Sequence, residues 1–494
     1  MLRQPLSEKN KSYLILSFIV LFSLVMRLWK IDFQSLWLDE LHTMREADPD
    51  IGWKDMMGYL KCCDQHPPLY FFLAKLSFMI FGHSALSARI ISAIVGTVSV
   101  WAMYLLGKEI LNRRLGLIVA SLTSVNYFNL YYSQEARGYI LAFLFSVLSF
   151  LFLIRLLKKM NSKNTLFYSL FSLLLLYSHY YSLFALASQA VIIVLFFFLS
   201  ERGERKEYIK YFVISSLLII LGYIPWVPHL LVMSQIHSFW VQPISPRFLL
   251  DFYFEYFGRA SVLKHLLLIL FAGYLVKVFY TQKSLTPNIV TSNPLWFSFI
   301  ILSIWVSVTI LIPFFRSLVV VPMILPRYTI VVLPAFLIAL AYAIELINYK
   351  VIKYIILVTF IIFSLNNIIV VRKYYSKVSK TQFREMTRFV VENNKENYPI
   401  IDELVSWQHQ YYFKAFKFKP TMLDGKKVSI VDSILTSTDP KFKVQGFWIV
   451  GAHGEHPLTT EEKKALDTAF VMTKERKFFD AWAQLYTLKK AFKN

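Results

Sequence analysis

The sequence predicts a polytopic α-helical membrane protein with a C-terminal extracytoplasmic α/β domain, and three observations predict it. Of 494 residues, 56% are hydrophobic, gathered in long runs that exceed what one soluble core can bury. Lys and Arg collect in short clusters between those runs. From about residue 372 the runs stop, and Lys, Glu and Asp become frequent over a stretch large enough to fold by itself.

The first run, residues 13–29, closes on Arg27 and Trp29 with Lys30 next, and no small-residue cleavage site follows it, which predicts a retained membrane helix. About eleven spans follow from run length: 12–30, 86–107, 114–132, 138–157, 165–179, 182–200, 209–230, 262–280, 295–315, 327–346 and 351–371. Basic clusters fall at Arg3, Lys9 and Lys11; at Lys108, Arg113 and Arg114; at Arg155, Lys158 and Lys159; at Arg202, Arg205, Lys206 and Lys210; at Lys277 and Lys283; and at Lys350 and Lys353. The positive-inside rule makes all of them cytoplasmic, with the N-terminus, in a cell membrane. They share a side only if 67–81, short and opened by Pro67 and Pro68, is an interfacial or re-entrant helix that does not cross. The C-terminal domain, 372–494, is then extracytoplasmic, with a helix over 383–393 and strands near 398–401 and 447–450. The net charge of +22 is spread as these clusters, which suit anionic headgroups and argue against a nucleic-acid partner. Two adjacent cysteines, Cys62 and Cys63, are poorly placed to staple a fold or hold a metal.

In this topology the outer face collects Asp39, Glu40, Asp64, Gln65, His66, Arg89, Arg137, His179, Tyr180, Tyr181, Arg316 and Arg327. Carboxylates and fixed guanidinium groups at one face of an apolar bundle suit a reaction on a lipid-anchored phosphate. Asp39, in LWLDE, is either a general base or an acidic residue opening a helix. Arg137 and Arg327 sit where spans meet the outer face, to bind phosphate bidentately or to snorkel to headgroups. Glu135 stands close enough to Arg137 for a local ion pair. His66, ahead of Pro67, is a phosphate donor or a turn residue, and His453 with His456 is a metal-like spacing or a polar loop.

In order along the chain, LWLDE, HPPLYFFL, FGHSALSARIISAIVG, YYSQEARGYIL, SHYYSLF and PRYTIVVLPA resemble the lipid-phosphate-sugar-dependent glycosyltransferases of the GT-C fold. The similarity is to glycosyltransferase family 39, the protein O-mannosyltransferase and aminoarabinose transferase group, over residues 10–346, with an outer C-terminal domain of the same kind beyond. The resemblance implies an inverting transfer from a polyprenyl-phosphate-linked sugar to an extracytoplasmic acceptor (protein, lipid or envelope glycan). Asp39 becomes the base. His66, Arg137, Arg327 and Arg89 become contacts of the donor phosphate. Glu40, Gln65, Tyr132, His179, Tyr181 and Tyr328 are supporting candidates. Gln65 departs from the acidic residue that some relatives carry, which weakens a metal contact there. No cofactor is required: the leaving group is a monophosphate that arginines neutralise, so a divalent metal is not demanded. Two rivals share the same features, a transporter of lipid-linked sugar and a polymerase or ligase using lipid diphosphates, and the absence of repeat halves speaks against the first.

Overall fold

The structure, a computed structural model, describes residues 7–62, 66–235, 241–245, 247–280, 293–402, 407–424, 427–455 and 458–489. Gln65, Asp64, Cys63, Lys283 and His456 lie outside these residues. The chain divides into two compact units, one of Met1–Ile31, Pro49–Gly82 and Ser87–Tyr375, the other of Asp32–Asp48, His83–Leu86 and Ser376–Asn494.

The first unit is a helical bundle. Among the described residues, nine helices are long and apolar enough to cross a membrane: Glu8–Leu28, Ala85–Ile110, Tyr139–Lys158, Ser182–Leu199, Arg205–Ser234, Ser261–Tyr280, Pro294–Val319, Tyr328–Glu345 and Lys350–Val371. The two other expected spans are helical but shorter. The 165–179 run forms the 15-residue helix Ser162–Leu176. The 114–132 run is not one span: it breaks into Arg113–Ser124 and Tyr127–Ser133. Asn126 causes the break, because its side chain caps the second piece by accepting from the Asn129 N–H and donates to the Tyr256 carbonyl at 2.8 Å. The Leu69–Phe81 helix has 13 residues. At 1.5 Å per residue it reaches roughly 20 Å, short of the ~30 Å hydrocarbon core.

In lipid the bundle cannot rely on expelling water, so small residues and interhelical hydrogen bonds hold it. Gly107 and Gly116 let two helices touch at backbone distance, since a Cβ on Gly116 would lie 2.6 Å from the Tyr104 carbonyl oxygen. Ser149, Ser172 and Gln189 join three helices: the two hydroxyls are 2.7 Å apart, and Gln189 donates to Ser149 at 2.8 Å. Arg27 is fully buried near the end of the first span and donates to neutral oxygens of Ser23, Asn129 and Ser133. Gly96 leaves room for it, as a Cβ there would meet both Ser133 and Arg27. At one end of the bundle Glu109 pairs with Arg155 at 3.1 Å and Lys158 at 3.4 Å, so two of the basic clusters share that end.

The second unit carries a five-stranded sheet among its described residues, in the order β2-β1-β3-β5-β4. The strands are β1 (Ile400–Asp402), β2 (Met422–Asp424), β3 (Gly446–Ala452), β4 (Phe470–Phe478) and β5 (Ala481–Leu488). β1 pairs in parallel with β2 and β3, and β5 runs antiparallel to β3 and β4. β3, GFWIVGA, is buried throughout, as a central strand covered on both faces must be. β4 is the charged, exposed edge, where TKERK discourages pairing with another chain. The helix expected over 383–393 is Phe383–Asn393. His409 Nδ1 lies 2.7 Å from Asp402 Oδ2, both buried, which ties the end of β1 to the Trp407–Ala415 helix.

The sequence placed the boundary at 371/372 and the whole first loop, 31–85, with the membrane domain. The structure instead groups Asp32–Asp48 and His83–Leu86 with the C-terminal residues. The cause is hydrogen bonding between residues 32–36 and the C-terminal sequence.

Candidate active site

In the first unit, the Tyr139–Lys158 helix starts at Gly138, whose missing side chain admits the Tyr177–Tyr181 turn: a Cβ there would sit 2.8 Å from the Ser178 carbonyl oxygen. The Leu69 N–H donates to the Tyr177 carbonyl, which brings the His66-Pro67-Pro68 segment to the same turn. Arg137, His179 and His66 therefore meet, although they are far apart in sequence. Arg137 donates from Nη2 to the His66 ring, whose nitrogens are 3.1 and 3.2 Å away, and its guanidinium lies 5.6 Å from the Phe71 ring centre. The His66 and His179 ring centres are 6.1 Å apart.

Arg327 completes the group. Its guanidinium carbon is 5.9 Å from the Tyr139 ring centre and 5.5 Å from that of Tyr328. Tyr328 is also 5.0 Å from His179 and 6.4 Å from Tyr181, while Tyr132 stacks edgewise on Tyr139 at 5.1 Å. The result is a set of two guanidinium groups and two imidazoles walled by aromatic rings. It lies at the end of the Tyr139–Lys158 helix opposite Arg155 and Lys158, some 30 Å away along a 20-residue helix.

His179 is buried, in the turn beyond the Ser162–Leu176 helix. Burial first, then the nearby His66, Arg137 and Arg327, hold it well below the ordinary histidine value. Its Nδ1 accepts from the Tyr181 N–H at 3.1 Å, so the neutral ring carries its proton on Nε2 and offers a donor there. Such a group gives phosphate oxygens hydrogen-bond donors and fixed positive charge together.

The other sequence candidates have contacts of their own. Arg89, buried, donates to the Ile31 carbonyl at 3.1 Å, and it lies within electrostatic reach of Tyr374. Asp39 and Glu40 open the Leu38–Glu46 helix in the second unit; Asp39 is half-buried, and Glu40 is fully buried with Lys380 Nζ at 3.0 Å. Glu135 is buried, and its carbonyl accepts from the Arg137 N–H. Arg316 donates to the Met323 sulfur. Among the described residues no group of three or more His, Cys, Asp or Glu side chains converges as a metal site. Sequence reasoning passed over Tyr139 and Lys380. Tyr139, two residues after Arg137 in the quoted motif, was discoverable; Lys380 had no local signal.

Residues 65–229 match the family model described as dolichyl-phosphate-mannose-protein mannosyltransferase, a segment that contains His66, Arg89, Arg137 and His179. Among solved structures the chain is similar to ArnT from Cupriavidus metallidurans in the apo state, at 10% identity over 95% of this chain and 98% of that one, with a TM-score of 0.61. The same protein bound to undecaprenyl phosphate gives a TM-score of 0.58 over the same shares at 10% identity. The chain has the GT-C fold. The archaeal oligosaccharyltransferase AglB from Archaeoglobus fulgidus, in complex with an inhibitory peptide and a dolichol-phosphate, shares the fold at 12% identity, 99% of this chain against 75% of that chain, with a TM-score of 0.51. No curated protein matches the sequence.

Proposed function

We propose that the protein is a glycosyltransferase that moves a sugar from a polyprenyl-phosphate-linked monosaccharide to a hydroxyl or amine acceptor on the extracytoplasmic side of a cell membrane. The observation that carries this reading is the meeting of Arg137, Arg327, His66 and His179 inside a wall of tyrosines, at the end of the bundle opposite a basic one. By the positive-inside rule the opposite end is the outer one. The ArnT and AglB neighbours are named with undecaprenyl phosphate and dolichol-phosphate, lipids whose monophosphate suits this cluster.

In the proposed reaction Asp39 takes the acceptor proton as the acceptor atom attacks the anomeric carbon. The bond from that carbon to the phosphate oxygen breaks, the electron pair leaves with the polyprenyl phosphate, and the anomeric configuration inverts. Arg137 and Arg327 act on charge as it develops on the departing phosphate, and His179 donates from Nε2. Each arginine is expected to lower the barrier by about 3 kcal/mol.

The test takes its donor from the lipid extract of cells lacking the protein, and its acceptor from washed envelopes of the same cells. Purified transferase is expected to release polyprenyl phosphate, detected by mass spectrometry, in step with loss of a prenyl-linked monosaccharide. Asp39→Asn is expected to abolish release while undecaprenyl phosphate still binds; Arg137→Gln is expected to weaken both. Release that survives Asp39→Asn refutes the base, and transport of the lipid without release refutes the transferase reading.

A further inference from the structure

We infer that the C-terminal unit is the scaffold of the first-loop carboxylate, and that Lys380 is a positioning residue acting through Glu40 on Asp39. The inference rests on the assignment of Asp39 as the base.

The Leu38–Glu46 helix has Trp37 at its N-cap, and Asp39 stands in its first turn. The chain leading into that turn is held by a row of hooks from residues more than three hundred positions away. Gln34 accepts from the Ser379 N–H at 3.1 Å and donates to the Lys377 carbonyl at 2.8 Å. Arg384 donates from Nη1 to the Asp32 carbonyl and from Nη2 to that of Phe33, at 2.9 and 2.8 Å. Its backbone N–H reaches Ser35 Oγ at 3.0 Å. The Leu36 N–H donates to the Tyr412 hydroxyl at 2.8 Å. These contacts satisfy the loop backbone, which is why residues 32–48 fold with the C-terminal sequence.

Lys380 then makes the contact within the helix itself. Its Nζ is 3.0 Å from Glu40 Oε2, with both side chains almost wholly withdrawn from solvent, and 5.9 Å from the Trp37 ring centre. Glu40 follows Asp39 directly, so a pair that fixes the Glu40 backbone fixes that of Asp39. A buried carboxylate without its cation would have to reach water, and the first turn would rotate to bring it there. A displacement of about 1 Å at a reacting group costs on the order of 100-fold in rate, with no change in how the remote parts of the substrate bind.

The test compares Lys380→Met, Lys380→Arg and Tyr412→Phe in the full-length transferase, using the lipid-extract donor above, with undecaprenyl phosphate as the binding probe and thermal unfolding as the fold control. Lys380→Met is expected to lower kcat by roughly 100-fold with undecaprenyl phosphate affinity unchanged. Lys380→Arg, which keeps the pair, is expected to retain most of the rate. A folded Lys380→Met protein with wild-type kcat overturns the inference, as does a loss of rate matched by an equal loss of lipid affinity. Should Lys380→Met not fold, Tyr412→Phe decides: it removes a loop hook without burying a lone charge, so a lower kcat at unchanged affinity supports the inference and an unchanged kcat overturns it. Survival of transfer in Asp39→Asn would instead remove the base assignment, an outcome separate from all of these.

Discussion

His179 shows how position can set a proton's location. Buried among cationic neighbours, it stays neutral in the folded chain where an unfolded chain would take up a proton near pH 6.5. The sign follows from linkage: below about pH 6.5 the unfolded state binds the extra proton, so stability is full above that value and falls as the pH drops towards the depressed folded value. Thermal unfolding of the purified protein between about pH 7.5 and pH 5.5 should therefore show a decline that His179→Gln reduces. An equal decline in both proteins would mean that the histidine does not carry it. His179 and Arg137 could be picked out from SHYYSLF and YYSQEARGYIL; that the ring is a neutral donor follows only from what surrounds it.

At the scale of elements, the site depends on two chain segments touching at a glycine. Gly138 has ordinary helical dihedrals, so its absent Cβ matters for space alone. Gly138→Ala would drive a methyl group into the Ser178 carbonyl and part Arg137 from His179. Transfer is expected to fall by about tenfold or more, as for other misplacements of reacting groups. Gly273→Ala, with nothing within 4 Å of the new methyl, is the matched control and should leave transfer intact. Most helices were legible because a run of apolar residues is its own signal. The break at Asn126 was not, since its cause, a bond to Tyr256, lies across the bundle. The charged β4 strand was equally hidden: TKERK has no apolar alternation, and it becomes a strand because β5 offers it a partner.

At the scale of the whole molecule, the inference drawn from Lys380 gives the C-terminal residues a scaffold role, an alternative to the acceptor-guiding or capping module that their sequence suggests. Because Asp32–Asp48 belong to the same unit, removal of residues 376–494 takes away the partners of Gln34, Leu36 and Glu40 together. The truncated protein is expected to lose transfer to every acceptor while still binding undecaprenyl phosphate through Arg137 and Arg327. A truncation that changed acceptor choice but kept the rate would favour the module and overturn the scaffold role. Lipid binding and product release, measured on one preparation, separate the two.

The sequence alone determined that this chain crosses a membrane many times, carries a water-exposed α/β domain, and holds an ordered series of GT-C motifs. Those features are written locally, in run length, charge clustering and short spacings. Only the tertiary structure decided which distant side chains meet: His66 with Arg137, Arg327 with Tyr139, and Glu40 with a lysine 340 residues away. The physical reason is that a guanidinium or carboxylate chooses its partner by distance in space and by exclusion of water, and neither quantity is encoded in the order of neighbours along the chain.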